Sequence, residues 1–129
     1  MRTIFINFSI QDVAATRAFW TELGFSFRAE YSDDHALCLI IEENIFAMLV
    51  TEPRFREFIN GEIADPYSTT EVLTCLTVPT RAEVDATVAK AIAAGGKEWK
   101  PAFDAGPMYG GSFQDPDGHV WELMAQDSA

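Results

Sequence analysis

Polar and apolar positions alternate with two different periods over the first 25 residues. Every second residue of segment 3–10 is a large apolar one, which predicts a strand with one apolar face, formed by Ile4, Ile6, Phe8 and Ile10. Asp12 is a favourable N-cap, and the apolar residues that follow it recur at helical spacing until Gly24. The pattern therefore predicts a strand followed by a helix.

Three short apolar segments come next, separated by the polar turns SDDH and EEN. They extend from Phe25 to Tyr31, from Ala36 to Ile41 and from Ile45 to Val50. Aromatic and β-branched residues between turns rich in Asp, Asn and Glu are typical of a strand meander. The first part of the chain is thus predicted to be β-α-β-β-β.

Residues 52–70 interrupt this pattern, and the order of elements then repeats. The polar stretch between Pro53 and Pro66 predicts a connecting segment with a short helix after Pro53. About seventy residues after the first pass, a second one begins. Its predicted elements are a strand at 71–78, a helix capped by Thr80 and ended by Gly95, and strands at 98–103, 109–114 and 119–124.

The repeat predicts an α+β fold class: two tandem βαβββ modules that form a concave, partly closed mixed sheet. We expect a single domain over residues 1–129, with the first module at about 1–51, a connector at about 52–70 and the second module at about 71–125. Two half-sheets around a shared concave surface would provide a natural place for a small-molecule ligand.

Charge and cysteine content narrow the classes of partner. Asp and Glu number 20 against 9 Lys and Arg, so the net charge is −11, which disfavours binding to nucleic acid or to a membrane surface. Cys38 and Cys75 each lie in an apolar strand pattern and lack CxxC spacing, as expected of reduced cysteines. The N-terminal segment is too short and too alternating for a signal peptide, and no apolar run has the length of a membrane span. We expect a cytoplasmic protein.

Four segments resemble a known family. The stretch from Ile10 to Phe25 contains Asp-Val, Phe-Trp and Leu-Gly-Phe at characteristic spacing, and the stretch from Phe113 to Leu123 reads FQDPDGHVWEL. Together with ENIFAMLVTEP and GPMYGGSF, they resemble the vicinal oxygen chelate family of glyoxalases, bleomycin-resistance proteins and extradiol dioxygenases. The resemblance covers essentially the whole chain. It implies the glyoxalase/bleomycin-resistance fold and a homodimer.

This resemblance also implies a divalent metal held by four ligands, two from each module, which would act as a Lewis acid on vicinal substrate oxygens. The corresponding positions here are Phe5, Met48, Leu73 and Glu122. Residues 45–51 contain no His, Asp or Glu, and the nearest acid to Leu73 is Glu71. Only Glu122 matches the family pattern, so the prediction is that the protein has no metal and no cofactor.

Strand alternation supplies further candidates for a ligand pocket. Asn7 shares a face with Phe5, and Glu122 shares a face with Val120 and Met124. Tyr109 lies among glycines and is interpreted as a possible gate on a flexible loop, while His35 and His119 lie at turns too far apart for a spaced metal motif. The predicted ligand-binding residues are Phe5, Asn7, Phe46, Met48, Leu73, Tyr109 and Glu122.

These candidates favour a metal-free protein that binds a cationic or aromatic small molecule, similar to the bleomycin-resistance proteins. Phe46, Met48 and Trp99 offer apolar packing, and the net charge would attract a cation. One alternative is a metal-dependent lyase or dioxygenase of the glyoxalase type. Another is a metal-independent enzyme in which Glu122 is the catalytic general base. For Glu122 itself, a residual metal ligand, a polar anchor for a ligand, and a salt-bridged or solvent-facing residue all remain open.

Overall fold

The computed structural model describes residues 1–126. The chain divides into two compact units, Met1–Ala64 and Asp65–Ala129, and the division falls inside the predicted connector. Each unit contains a mixed sheet of its own, with four strands in the first and five in the second. The predicted α+β class with two tandem modules is confirmed.

The first unit follows the predicted order of elements. Its main elements are β1 (Ile4–Ile10), α1 (Val13–Glu22), β2 (Ser26–Phe27), β3 (Ala36–Glu42) and β4 (Ile45–Thr51). The sheet order is β1-β4-β3-β2, with β1 and β4 parallel and the other pairs antiparallel. Asp12 caps α1 as predicted, because its carboxylate accepts a hydrogen bond from the Ala15 N–H at 3.0 Å.

The core of the first unit lies between α1 and one face of this sheet. Phe19 and Trp20 of α1 are both 1% exposed and meet edge to face, with ring centroids 5.3 Å apart. The buried residues on the helix-facing side of the sheet are Phe8, Ile10, Leu37, Leu39, Ala47 and Leu49. Because side chains alternate along a strand, the opposite face carries Phe5 and Asn7.

The prediction of one strand from Phe25 to Tyr31 was wrong. Strand β2 ends at Phe27, and residues Ala29–Tyr31 form a 3₁₀ turn. The Ser32 hydroxyl explains the break, because it accepts a hydrogen bond from the Cys38 N–H at 3.0 Å and donates one to the Arg28 carbonyl at 2.7 Å. These bonds occupy backbone groups that a longer ladder would have used. The short helix expected in the connector is α2 (Glu52–Arg56), with Pro53 in its first turn.

The second unit contains β5 (Leu73–Thr77), α3 (Arg81–Ala93), β6 (Lys97–Glu98), β7 (Phe103–Ala105), β8 (Met108–Gln114) and β9 (Val120–Gln126). The sheet order is β5-β9-β8-β6, and β7 also pairs with β8. Strand β5 is parallel to β9, and the remaining pairs are antiparallel.

The strand predicted at 98–103 is divided into β6 and β7. Between them, the Lys100 N–H donates to the Ser112 hydroxyl at 3.2 Å, and Pro101 has no N–H to donate. The backbone therefore leaves the ladder at this point and rejoins it at Phe103.

Helix α3 packs closely on β8 because Gly111 has no side chain. A Cβ atom at Gly111 would lie 2.9 Å from Val84 Cγ1 and 3.1 Å from Val88 Cγ2. Phe113, Trp121 and Leu123 are buried on this helix-facing side. Because side chains alternate along a strand, the residues between these positions on β8 and β9 face away from α3.

The longest helix in residues 1–126 has 13 residues. No helix within that range is both long and apolar enough to cross a membrane.

Candidate functional site

Glu122 occupies the middle of β9, on the face of the second sheet that points away from α3. Its chain neighbours Trp121 and Leu123 are 1% and 3% exposed and belong to the core, so alternation directs Glu122 to the other side. Cys75 of β5 is its register partner on one side, and Ser112 of β8 is its partner on the other. The carboxylate thus has a thiol and a hydroxyl as its cross-strand neighbours.

A groove of about 370 Å³ lies beside Glu122. The residues that line it include Lys100, Pro101, Phe103, Ser112, Glu122 and Met124. The groove also borders Gly110, which is paired with Phe103 of β7 and with Met124 of β9. Because Gly110 and Ser112 are small, β8 leaves open space between Glu122 and the apolar side chains of Phe103 and Met124.

The Glu122 carboxylate has no hydrogen bond and no ion pair with any residue in the described range 1–126. It is half-buried, so it has lost part of its hydration without gaining a protein partner. A carboxylate without a protein partner at the wall of a groove is available to bind a complementary cation. This property makes Glu122 the central residue of the candidate site.

Cys75 does not add a reactive nucleophile to this site. Partial burial raises the pKa of its thiol, and the neighbouring Glu122 carboxylate raises it further. A thiol with a raised pKa is neutral near pH 7 and is a weak nucleophile. The pair is therefore better suited to binding a cation than to covalent catalysis.

The first unit contains a separate group of aromatic side chains, here called the aromatic cluster: Phe5, Tyr31 and Phe46 with the guanidinium of Arg28. Phe5 stacks on Phe46 with ring centroids 5.1 Å apart, and it meets Tyr31 edge to face at 6.1 Å. Arg28 lies 5.0 Å from the Tyr31 ring and 5.5 Å from the Phe46 ring. Since Phe5 is 44% exposed, the cluster presents an aromatic surface to solvent.

The structure groups six of the predicted site residues on two sheet faces. Phe5 and Phe46 are register partners on β1 and β4, as are Asn7 and Met48, and all four share one face of the first sheet. Leu73 precedes Cys75 by two residues on β5 and therefore shares the face of Glu122 on the second sheet. Leu73 is 52% exposed.

The structure places Tyr109 in a strand, whereas the sequence suggested a flexible loop. It lies within β8, opposite Ala125, on the side of the sheet that carries α3. Its hydroxyl donates a hydrogen bond to Asp85 of α3 at 2.6 Å. Tyr109 therefore does not gate the Glu122 groove from a flexible loop, because strand pairing fixes it on the opposite face.

Sequence reasoning missed Lys100, Phe103, Gly110 and Ser112 as groove residues. The adjacent glycines at 110 and 111 were a usable signal, because small residues on a strand mark close approach or open space. Lys100 and Phe103 gave no such signal, since their position depends on the break between β6 and β7.

The residues present do not fit a divalent metal. Of the four positions that the family resemblance suggests, Phe5 and Leu73 have no donor atom, and Met48 offers only a soft thioether. In the described part of the chain, no group of three or more His, Cys, Asp or Glu side chains could hold a metal ion. Glu122 alone is an inadequate donor set.

A family model described as the glyoxalase/bleomycin resistance protein/dioxygenase superfamily matches residues 4–123. No curated protein matches the chain. Several solved structures share the fold. A hypothetical protein from S. aureus, SA1046, is 25% identical with a TM-score of 0.84, and the match covers 97% of this chain and 94% of that one.

Two further structures carry more specific names. A glyoxalase/bleomycin resistance protein/dioxygenase family enzyme from Burkholderia phytofirmans PsJN is 19% identical with a TM-score of 0.80, covering 98% of this chain and 100% of that one. The fosfomycin resistance protein FosX from Listeria monocytogenes is 16% identical with a TM-score of 0.69, covering 100% and 94%. At these identities the two likenesses show the fold alone.

Proposed function

Since the chain belongs to the glyoxalase/bleomycin resistance protein/dioxygenase superfamily, we propose that it binds a small organic cation with an apolar or aromatic part in the groove beside Glu122, without a metal. The family resemblance of the motifs around Asp12 and Asp115 is confirmed by the match over residues 4–123.

The observation that carries this proposal is the unpartnered, half-buried carboxylate of Glu122 at the wall of the groove. A cation placed there would replace the hydration that the carboxylate has lost. The net charge of −11 supports the same class of ligand, because a strongly acidic protein attracts cations over long distances.

The apolar part of the ligand would lie against Phe103 and Met124. Phe103 is 57% exposed, so covering it with a ligand removes apolar surface from water. Aromatic rings and thioethers both form favourable contacts with aromatic ligands. The volume of about 370 Å³ is at the lower end of the range for small-molecule sites.

The residues at the four family metal positions do not suit a divalent metal, so they disfavour the alternative of a metal-dependent lyase or dioxygenase. The general-base alternative needs a substrate proton next to Glu122, and no described residue offers a second catalytic group hydrogen-bonded to that carboxylate. Membership of a superfamily that includes bleomycin resistance proteins supports a role in handling a small molecule. We also propose a cytoplasmic homodimer. The family resemblance supports the homodimer, and the lack of a disulfide between Cys38 and Cys75 fits a cytoplasmic protein.

Titration with 4-methylbenzylamine, followed by the backbone amide NMR signals of β8 and β9, tests the proposal. We expect saturable shifts around Glu122, unchanged by EDTA, and an affinity at least about tenfold lower in Glu122→Gln. Glu71→Gln is the matched control, because it removes the same net charge from an exposed position. An equal loss in both variants, or a requirement for added Zn²⁺ or Mn²⁺, would contradict the proposal.

A further inference from the structure

Two residues of opposite charge line the groove: Glu122 and Lys100. Among residues 1–126, no other charged residue contributes to its lining. The two charges do not form an ion pair with each other or with any other residue in the range 1–126. The groove therefore offers a bound ligand one negatively charged group, the Glu122 carboxylate, and one positively charged group, the Lys100 amine.

The backbone of Lys100 is fixed near Glu122 although its side chain is exposed. The Lys100 N–H donates to the Ser112 hydroxyl at 3.2 Å, and Ser112 is the register partner of Glu122 on β8. The chain break between β6 and β7 is thus tied to the strand position next to the carboxylate. Only the flexible lysine side chain remains free to adjust to a ligand.

Two other cations of the second unit, Arg81 and Lys97, have closer partners than Lys100 has. Arg81 forms an ion pair with Asp104 at 2.8 Å, and the Lys97 amine lies 4.9 Å from the centre of the Tyr67 ring. The Lys100 amine lies 6.0 Å from the Trp99 ring centre, at the outer limit of a cation–π contact. Little intramolecular stabilisation would be lost if Lys100 turned to a ligand.

We propose that the natural ligand of the groove is a zwitterion, whose cationic group binds Glu122 and whose anionic group binds Lys100 while its apolar body lies against Phe103 and Met124. This inference rests on the proposed function and names its ligand class. A purely anionic molecule would be repelled by the net charge of −11, so Lys100 selects among cations that also carry a negative group.

Three probes built on one ring test this inference: 4-methylbenzylamine, 4-methylbenzoate and 4-(aminomethyl)benzoate. We expect the wild type to bind the zwitterion about fivefold more tightly than the amine, because the Lys100 contact is exposed and screened. The benzoate should bind most weakly of the three. Affinities are measured by NMR titration at constant ionic strength.

Lys100→Met removes the charge and keeps most of the aliphatic stem. We expect this variant to lose the preference of the wild type for the zwitterion over the amine. Lys97→Met is the matched control, since it removes one positive charge elsewhere in the unit and should retain the preference for the zwitterion. Superimposable amide spectra of the free proteins show that both variants are folded.

The outcomes separate this inference from the proposed function. If the amine binds in a Glu122-dependent manner but the zwitterion has no advantage, or keeps it in Lys100→Met, the zwitterion inference is wrong and the proposed function stands. If neither the amine nor the zwitterion shows Glu122-dependent binding, the proposed function fails and this inference fails with it.

Discussion

The phenolic hydroxyl of Tyr109 donates a hydrogen bond to Asp85 Oδ1 at 2.6 Å, on the side of the second sheet opposite to Glu122. The Arg81 guanidinium lies 5.0 Å from the Tyr109 ring and forms hydrogen bonds with the Asp104 carboxylate and the Gly106 carbonyl. These contacts attach the β7–β8 hairpin to the first turns of α3. Tyr109 therefore stabilises the fold and does not contact the groove.

Tyr109→Phe should destabilise the protein, and most of the effect should disappear in alkaline solution. The hydrogen bond to Asp85 is the first cause that raises the pKa of Tyr109 above its ordinary value of 10.0. An acid whose pKa is higher in the folded state gives stability that is full below its unfolded pKa and is lost as the pH rises through its folded pKa. Urea unfolding of the wild type and of Tyr109→Phe, at pH 7 and at several values above pH 10, measures the pH range over which this stability is lost.

Tyr31→Phe is the control for this comparison, because the Tyr31 hydroxyl has no hydrogen-bond partner within residues 1–126. It should change the urea midpoint less than Tyr109→Phe does. A groove affinity for 4-methylbenzylamine that falls in Tyr109→Phe would show that Tyr109 reaches the ligand after all.

Glu122→Gln should make the Cys75 thiol more reactive. The Glu122 carboxylate contributes to the raised pKa of that thiol, so removing its charge should shift the pH–rate profile of alkylation to lower pH. Iodoacetamide labelling followed by mass spectrometry measures the profile. Cys38 serves as an internal control, because it is fully buried and should remain unlabelled in the native protein. Identical profiles in both proteins would show that the two side chains do not interact.

The elements that could be predicted from the sequence are those determined by local signals. Asp12 and Thr80 cap their helices through bonds to N–H groups three residues away, so capping residues and helical spacing were sufficient. The breaks in the two strands that were predicted as continuous depend instead on hydroxyl groups elsewhere in the chain. Ser32 bonds to Cys38, and Ser112 bonds to Lys100. Such bonds depend on tertiary proximity, which a single sequence does not specify.

The same distinction applies to the site. Alternation along β9 was sufficient to direct Glu122 away from the core, because Trp121 and Leu123 define the opposite face. The face of the sheet on which Tyr109 lies could not be predicted, because it depends on the pairing of β8 with β9. The flanking glycines suggested a loop instead. Lys100 was missed because its proximity to Ser112 arises from the chain break before β7.

Asp115→Ala should cost about 3 kcal/mol of the free energy of unfolding. The Asp115 side chain is 2% exposed, and its carboxylate accepts hydrogen bonds at 3.0 Å from the N–H groups of Asp117 and His119 and from the Trp121 indole. Alanine would leave three donors without this acceptor in the turn between β8 and β9. Urea unfolding measures the loss.

The matched control for this variant is Asp33→Ala, at the turn before β3. Asp33 is exposed and accepts a hydrogen bond from the His35 N–H at 2.7 Å, so water can replace it after substitution. We expect a loss below about 1 kcal/mol for this variant. Similar losses at Asp115 and Asp33 would mean that burial of the carboxylate does not determine the stability of the turn.

The adjacent glycines of β8 should respond in opposite ways to substitution by alanine. At Gly111 the new Cβ would lie 2.9 Å from Val84 Cγ1, and α3 would have to move away from the sheet, at a cost of about 1–3 kcal/mol. At Gly110 the nearest atoms would be the Leu123 carbonyl oxygen at 3.4 Å and the flexible end of Met124 at 3.5 Å, which are ordinary contacts. Gly110→Ala should therefore be neutral or stabilising by up to about 1 kcal/mol, because it reduces the freedom of the unfolded chain.

A larger residue at Gly110 should then separate binding from folding. Gly110→Val would extend its side chain into the groove between Phe103 and Met124, on the face that carries Glu122. We expect a folded protein whose affinity for 4-methylbenzylamine is reduced at least about tenfold by lost volume. Urea unfolding and NMR titration of Gly110→Val and Gly111→Ala provide the comparison. Full retention of binding in Gly110→Val would place the ligand outside this groove, because the valine would occupy the space that the ligand requires.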